Sequence, residues 1–405
     1  MTFFEGMFAS YTLKIIPMLK KYWVLWITAC LALPLRGQTV SGAARMEKYL
    51  PMLAGKRVAV FSNQTSRVGP ALLVDTLLKR GIRVVRIFSP EHGFRGNADA
   101  GESVAGGRDS LTGLEVVSLY GTHVKPGAAD LEGVDVLVFD LQDVGVRWYT
   151  YISSLAYYLQ AAMEQGKPLV LLDRPNPNGF YVDGPVLDTA FRSFVGMEPV
   201  PVVYGMTLGE YARMLLGEGW VSKAPPAPGF RLTVIPCAGY THHTRYVLPV
   251  KPSPNLPDMQ SVYLYPSLCW FEGTPVSLGR GTPKPFQCFG HPSFPPTGYS
   301  FVPHSLPGAK NPPRQDQTCN GYDLSDPGIL DSLGGRIQLR WLLEAYRLFP
   351  DKGTFFNAYF NKLAGNARLA EQIRAGLSEE AIRESWAPGL AHFKAIRSKY
   401  LIYPL

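Results

Sequence analysis

The sequence predicts an α/β fold: a Rossmann-like, doubly wound and mostly parallel sheet, followed by a second, smaller α/β auxiliary domain. Two observations lead to this prediction. Short apolar runs alternate with helix-period segments between residues 56 and 236, which is the β-α-β rhythm of a parallel sheet covered by helices. Residues 222–313 then hold 19 of the 35 prolines, so extended segments and tight turns replace the regular alternation.

The predicted strands are β-branched or leucine-rich runs bounded by glycine, proline or polar residues. They span residues 57–61, 84–88, 115–119, 134–139, 169–172, 200–203 and 231–235. Between them, apolar residues recur at helical spacing. The predicted helices span residues 71–79, 153–164 and 207–216.

The chain returns to a helical pattern over residues 336–400. Ser378, followed by Glu380 and Ala381, is typical of a helix start. We therefore assign residues 45–240 to the Rossmann-like domain and residues 241–405 to the C-terminal auxiliary domain.

Residues 1–37 have the pattern of a signal peptide. Lys14, Lys20 and Lys21 precede an apolar stretch at residues 22–35, which is short for a membrane span. The sequence thus predicts an exported protein, periplasmic or secreted, without a stable membrane span. Lipoprotein anchoring at Cys30 is the less favoured alternative, because the apolar run continues beyond that cysteine.

The charge and the cysteines exclude several classes of protein. The formal net charge is +8, and removal of residues 1–37 would lower it to about +5, because four cations and one anion lie there. The basic residues are scattered, which argues against nucleic acid as a partner. The five cysteines show no C-x-x-C spacing and no G-x-G-x-x-G follows the first strand, so we predict neither a metal site nor a cofactor. Nothing in the sequence indicates an oligomeric state.

The most informative motif is Ser89-Pro-Glu-His-Gly-Phe-Arg-Gly96, directly behind a predicted strand. In open α/β sheets, ligands bind in the loops at the carboxyl ends of the strands. Glu91, His92 and Arg95 place an acid, a titratable base and a fixed cation within five residues, and two glycines let the backbone approach a ligand closely. The structural alternative, a solvated surface turn, requires neither the proline nor the glycines.

Polar residues follow each of the first five predicted strands, so they should meet at one edge of a parallel sheet. Neighbouring carboxylates push each other's pKa values apart, as general acid–base chemistry requires. We therefore predict Glu91 as proton donor, with His92, Asp140 and Asp143 as further catalytic candidates. Helix caps, salt bridges or core packing are the structural alternatives for the others. The binding candidates in this part of the chain are Asn63, Arg95, Arg147, Tyr149, Tyr151, Asp173, Arg174 and Asn176.

Eight ordered motifs, from about residue 45 onwards, resemble those of the exo-β-N-acetylmuramidases. Besides the first motif, they lie at residues 139–145 (with Arg147 and 149–151), 173–179, 183–185, 205–207, 252–257, 271–274 and 279–282. The resemblance implies a glycoside hydrolase whose first domain is catalytic and whose substrates are peptidoglycan-derived muramic acid glycans. It also implies release of N-acetylmuramic acid from the non-reducing end, with Glu91 at the position of a catalytic glutamate.

The site of an exo-acting enzyme must be closed beyond the terminal sugar of the glycan. We therefore expect the second domain to form a wall of the site across the sheet edge. Asn255, Glu272 and Arg280 lie in proline-bounded or glycine-bounded turns, and we expect them near Glu91. For Glu272, a purely structural turn is the alternative.

The lactyl ether of muramic acid carries a carboxylate, for which Arg95, Arg147, Arg174 and Arg280 are the candidate cations. Retaining, inverting and substrate-assisted routes all stay open, because the separation of the carboxylates decides between them. Two other functions stay open as well: a non-catalytic protein that binds cell-wall glycans, and an exported esterase or amidase acting on peptidoglycan.

Overall fold

A seven-stranded sheet lies at the centre of the protein. The computed structural model describes residues 39–96 and 106–405; the predicted signal peptide, with Cys30, lies outside them. Within the described residues, the strands β1 to β12 are Arg57–Ser62, Arg67–Val68, Ala71–Leu72, Arg83–Ser89, Gly107–Arg108, Glu115–Ser118, Val136–Asp140, Leu169–Leu172, Leu232–Ile235, Cys288–His291, Tyr299–Phe301 and Cys319–Asp323. The α-helices α1 to α11 are Met46–Leu53, Leu73–Lys79, Tyr151–Glu164, Leu208–Gly217, Met259–Leu268, Gly328–Ser332, Arg340–Leu348, Phe360–Ala364, Arg368–Arg374, Glu379–Glu384 and Ala387–Ser398. None of these helices is long and apolar enough to cross a membrane.

The central sheet has the strand order β5-β6-β4-β1-β7-β8-β9, and every neighbouring pair is parallel except β5 with β6. The chain builds one side outwards from β1 through β4 to β6, then crosses to the other side of β1 and continues through β7, β8 and β9. This is the doubly wound order of Rossmann-like folds, and it confirms the predicted fold class. The carboxyl ends of the parallel strands therefore lie along one edge.

Side chains of the central strands alternate between two apolar cores, one on each face of the sheet. Val58 and Val60 belong to one core, and Ala59 and Phe61 belong to the other. Phe61 contacts the ring of Tyr158, in α3, with 5.1 Å between ring centroids. Because an apolar core covers each face of the sheet, the strand sequences are continuous apolar runs.

Six of the seven predicted strands lie within two residues of their predicted ends. The exception is the segment at residues 200–203, which makes isolated bridges through Val203 instead of a ladder. Pro199 and Pro201 have no amide hydrogen, so a continuous ladder cannot form there. The first predicted helix also begins two residues late, because its first two residues form β3.

The C-terminal part adds a three-stranded antiparallel sheet, in the order β10-β12-β11, and a series of short helices. Its large apolar side chains, such as Trp270 and Trp341, join the same core as Phe139 of the central sheet. Thr39–Leu405 accordingly form one compact unit. The domain boundary between residues 240 and 241 stays a prediction.

The predicted helix start at Ser378 is confirmed, because its hydroxyl accepts a hydrogen bond from the amide of Ala381 at the start of α10 (3.2 Å). The four cysteines in the described part of the chain are buried and form no disulfide.

Candidate active site

A cavity of about 460 Å³ lies at the carboxyl ends of β4 and β6. This volume is within the range of sites that bind small molecules. Two carboxylates, Glu91 and Glu272, are among the described residues that line it. The lining residues are Glu91, His92, Tyr120, Trp148, Tyr149, Thr150, Tyr151, Ser193, Phe194, Val195, Ser253, Asn255, Leu256, Tyr265, Glu272, Arg280, Phe286, Tyr359 and Lys362.

Glu91 lies in the turn that follows β4. The next two residues, His92 and Gly93, have φ angles of 70° and 75°. This left-handed region is natural for glycine but rare for other residues, and such strained positions concentrate at functional sites. The Gly93 amide donates to the Pro90 carbonyl (3.1 Å). The chain therefore turns sharply, and Glu91 stays at the strand end.

Tyr120, which follows β6, orients the Glu91 carboxyl. Its Oη donates a hydrogen bond to Oε1 of Glu91 (3.1 Å). Burial raises the pKa of Tyr120, and the neighbouring Glu91 raises it further, so the phenol keeps its proton and remains a donor. The Tyr120 ring also packs edge-on against Phe194, another lining residue, at 6.2 Å.

Tyr149 and Tyr151 form an aromatic wall of the cavity at the start of α3. Their rings meet edge to face with centroids 4.6 Å apart. Tyr149 Oη donates to the Pro252 carbonyl (2.8 Å), and Asn63 Nδ2 donates to Tyr151 Oη (2.6 Å). Asn63, predicted to bind substrate, therefore supports this wall and is not itself a lining residue.

The expected convergence of Asn255, Glu272 and Arg280 on Glu91 is confirmed, because all four side chains line the same cavity. Arg280 Nη2 forms an ion pair with Glu272 Oε1, and its guanidinium lies 5.0 Å from the centroid of the Phe286 ring. The C-terminal part thus supplies a cation and an anion to a cavity built on the Rossmann-like sheet.

Asp140 and Arg174 form a buried ion pair where β7 and β8 end. Arg174 Nε lies 2.6 Å from Asp140 Oδ1, and Nη2 lies 2.9 Å from Oδ2. Burial raises the pKa of Asp140, and Arg174 opposes that change. Neither residue lines the cavity, so the pair joins two strand ends instead of facing a ligand.

Asp173 and Asn176 also lie outside the cavity lining. Asp173 accepts hydrogen bonds from Thr207 Oγ1 (2.7 Å) and Tyr403 Oη (2.6 Å). Asn176 Nδ2 donates to the Met206 carbonyl (2.8 Å). These contacts attach the loop after β8 to the start of α4 and to the C-terminus of the chain.

Two further predicted arginines are held away from the cavity. Arg95 forms a bidentate pair with Asp109, at 2.7 and 2.8 Å. Arg147 is completely buried and binds main-chain carbonyls. Its Nη1 and Nη2 donate to the carbonyls of Pro185, Val200, Leu363 and Ala364. Of the four arginines considered for a carboxylate ligand, Arg280 is therefore the one that lines the cavity.

Asp143 is buried and likewise outside the cavity lining. Its Oδ2 accepts hydrogen bonds from the Gly145 amide (2.6 Å) and from the Tyr204 hydroxyl. Its Oδ1 has no hydrogen-bond partner in the part of the chain that the structure describes. Burial outweighs the hydrogen bonds and raises the pKa of Asp143 to about 7.

We expect Asp143 to make the folded state less stable as the pH rises from 5 to 8. Its carboxyl keeps a proton up to a pKa of about 7 when folded but loses it near its ordinary value of 3.8 when unfolded. Between these values the folded state binds more protons, so rising pH favours unfolding. Asp143→Asn should remove this loss, which is on the order of 2–3 kcal/mol because about two pH units lie between pH 5 and the folded pKa.

Urea unfolding of both proteins at the two pH values measures the effect. Asp188→Asn is the matched control, because Asp188 is exposed. Equal pH dependences for wild type and Asp143→Asn would contradict the assignment.

Several lining residues carried no signal in the sequence. Tyr359 and Lys362 lie at and within the short helix α8, far along the chain from Glu91 and outside any motif. Phe286 has a φ angle of 56°, a left-handed backbone conformation that cannot be predicted from a phenylalanine in the sequence. Only the tertiary structure brings these side chains to the cavity.

Comparisons with known proteins agree with this architecture. Residues 58–260 match the family model described as "Exo-beta-N-acetylmuramidase NamZ, N-terminal", and residues 263–403 match the corresponding C-terminal model. The chain is 37% identical over 377 residues to "Peptidoglycan beta-N-acetylmuramidase NamZ" of Bacillus subtilis (strain 168), which covers 88% of this chain and 89% of that protein.

Two crystal structures of DUF1343 family proteins from Bacteroides fragilis NCTC 9343 are also similar. One is 45% identical with a TM-score of 0.83, covering 91% of this chain and 99% of its own. The other is 27% identical with a TM-score of 0.76, covering 90% and 99%.

A Rossmann-like sheet with a carboxylate-lined cavity, together with these matches, defines an enzyme of the glycoside hydrolase class. The chain belongs to the exo-β-N-acetylmuramidase NamZ family. The resemblance found in the sequence is thus confirmed, and it replaces the binding-protein and esterase alternatives. Within residues 39–96 and 106–405, no group of three or more His, Cys, Asp or Glu side chains is placed to hold a metal ion.

Proposed function

We propose that this enzyme releases N-acetylmuramic acid from the non-reducing end of peptidoglycan fragments, with Glu91 as the general acid. The observation that carries the proposal is the position of Glu91: a carboxyl oriented by Tyr120 in a cavity that the C-terminal part walls in. Export to the periplasm or beyond belongs to the proposal, because peptidoglycan lies there and residues 1–37 have a signal-peptide pattern.

Glu91 suits proton donation to the glycosidic oxygen. A general acid must reach the leaving oxygen directly, and Glu91 lines the cavity whereas Asp140 and Asp143 do not. Glu272 is the second carboxylate in the lining and therefore replaces Asp140 and Asp143 as the preferred partner of Glu91 in the proposal. Glycosidases use such a pair on opposite sides of the scissile bond.

The substrate test uses a disaccharide of N-acetylmuramic acid linked to N-acetylglucosamine. We expect free N-acetylmuramic acid and N-acetylglucosamine as products. A matched disaccharide whose terminal muramic acid is blocked at its 4-hydroxyl should remain intact, because exo action requires a free non-reducing end. Equal cleavage of both compounds would contradict exo action, and cleavage of neither would contradict the proposed activity.

Arg280 is proposed to bind the lactyl carboxylate. Arg280→Ala should lower kcat/KM for a chromogenic muramide about 10- to 100-fold, mainly through KM, because a hydrogen bond to a charged group contributes about 1.5–3 kcal/mol. Activity on the matched glucosaminide, which lacks the lactyl group, should be low in wild type and change little in the variant.

Arg80→Ala is the control for this test, because it makes the same chemical change at an exposed position outside the cavity. An equal loss on muramide and glucosaminide in Arg280→Ala would assign Arg280 to the support of Glu272 instead of to substrate recognition.

A further inference from the structure

A second cavity, of about 420 Å³, shares no lining residue with the candidate active site. It lies between the loop that follows β8, the helix α5 and the turn that follows α6. Nothing in the proposed reaction uses it. Its lining combines aromatic rings, guanidinium groups and a buried amide, which is the composition of a ligand site and not of a packing defect.

Three aromatic rings form one side of this second cavity. Phe180 packs against Tyr181 with 4.8 Å between ring centroids and against Tyr263 at 6.3 Å. Rings of this kind offer flat apolar faces with polar tips, which suits the C–H faces and hydroxyl groups of a sugar.

Two arginines supply positive charge. The guanidinium carbon of Arg245 lies 3.2 Å from the centroid of the Phe180 ring. Arg245 and Arg336 are exposed, and neither forms an ion pair with an acidic side chain of the described residues. Asp331 also lines the cavity, so the lining carries one excess positive charge. A guanidinium stacked on a ring keeps its N–H edge available for bidentate bonds to a carboxylate.

Asn178 adds a side-chain amide to the lining, and the oxygen of that amide has no hydrogen-bond partner among the described residues. Its side chain is completely buried, and its Nδ2 donates to the Val144 carbonyl (2.9 Å). A buried acceptor without a partner is unfavourable, so the protein alone does not satisfy the polar groups at this wall of the cavity.

We propose that the second cavity binds a carboxylate-bearing N-acetyl amino sugar of the glycan and so holds the polymer at a point separate from the site of cleavage. The arginines receive the carboxylate, and the aromatic rings receive the sugar ring. The identity of the glycan rests on the proposed function; the binding chemistry rests on the cavity alone.

The test compares wild type with the double variant Arg245→Ala/Arg336→Ala by isothermal titration calorimetry. The probes are N-acetylmuramic acid, N-acetylglucosamine and inorganic phosphate. We expect the double variant to lose one N-acetylmuramic acid site, with affinity at least tenfold weaker there. Tyr263→Ala, which removes a ring but no charge, should weaken the same site. Arg80→Ala, an exposed arginine outside both cavities, should bind as wild type does.

Unchanged N-acetylmuramic acid binding in the double variant would overturn the proposal. Phosphate binding with the same dependence on the two arginines, and no effect of Tyr263→Ala, would overturn it in favour of a plain anion site. Cleavage of the soluble disaccharide should stay within about twofold of wild type, whereas release from insoluble peptidoglycan should fall several-fold. If wild type fails to cleave the disaccharide, the proposed function fails, but the titration still decides the binding site.

Discussion

Glu91→Gln is expected to lower turnover of the muramic acid–glucosamine disaccharide by a factor of about 10²–10⁴, the usual contribution of a general acid. Glutamine has nearly the same shape and still accepts the hydrogen bond from Tyr120, so the fold should be retained. It has no carboxyl proton to give to the glycosidic oxygen, which must then leave as an alkoxide.

A comparison of two leaving groups tests specifically whether Glu91 donates a proton. A nitrophenyl muramide releases a stable phenolate that needs little protonation, so Glu91→Gln should impair its cleavage much less than cleavage of the disaccharide. Initial rates on both substrates measure the difference. Equal losses on the two substrates would indicate a role other than proton donation.

Glu47→Gln is the matched control, because it makes the same chemical change at an exposed position in α1. A Glu91→Gln variant that cleaves the disaccharide within about threefold of the wild-type rate would exclude Glu91 as the acid, since that factor is under 1 kcal/mol in barrier height.

Arg147→Met is expected to lower the free energy of unfolding by about 3 kcal/mol or more. The completely buried guanidinium donates hydrogen bonds to four main-chain carbonyls, at 2.8–3.1 Å. Methionine fills similar space but donates no hydrogen bond, so all four bonds are lost and the Pro185 carbonyl loses its donor. The carbonyls of Val200, Leu363 and Ala364 each keep one other donor. A hydrogen bond from a charged group contributes about 1.5–3 kcal/mol, so the loss of four is large. Urea unfolding at neutral pH measures the change.

Arg57→Met is the control for this variant. Arg57 also forms two side-chain hydrogen bonds, to Asp135, but it does so at the exposed start of β1, where water replaces lost partners. Its substitution should change stability far less. Similar losses in the two variants would show that burial of the Arg147 contacts does not matter.

The strand-end argument predicted where the site lies but not which polar side chains face it. Glu91 and Asp140 both lie at the carboxyl end of a buried strand, yet Glu91 lines the cavity and Asp140 pairs with Arg174 inside the protein. Both residues are carboxylic acids at a strand end. What differs is the left-handed turn after β4 and the presence of an arginine after the adjacent strand, and both depend on tertiary structure.

The contribution of Glu272 and Arg280 to the cavity was predictable for a different reason. Glycines and prolines around Glu272 and Arg280 fix the backbone locally, so their turns could be recognised from the sequence. Lys362 gave no such signal, because an exposed lysine on a five-residue helix resembles any solvated lysine until the helix is docked.

The docking of α8 has a consequence for how this cavity varies among related enzymes. Arg147 and Trp148 hold the helix through the carbonyl oxygens of Leu363 and Ala364, and every amino acid supplies a carbonyl oxygen. These hydrogen bonds are therefore indifferent to the exposed side chains of α8, whereas Phe360, Leu363 and Ala364 are buried in the core and fix the helix by packing. Residues such as Lys362 are interchangeable without loosening the helix, so substrate preference can diverge at this wall while the scaffold is inherited intact.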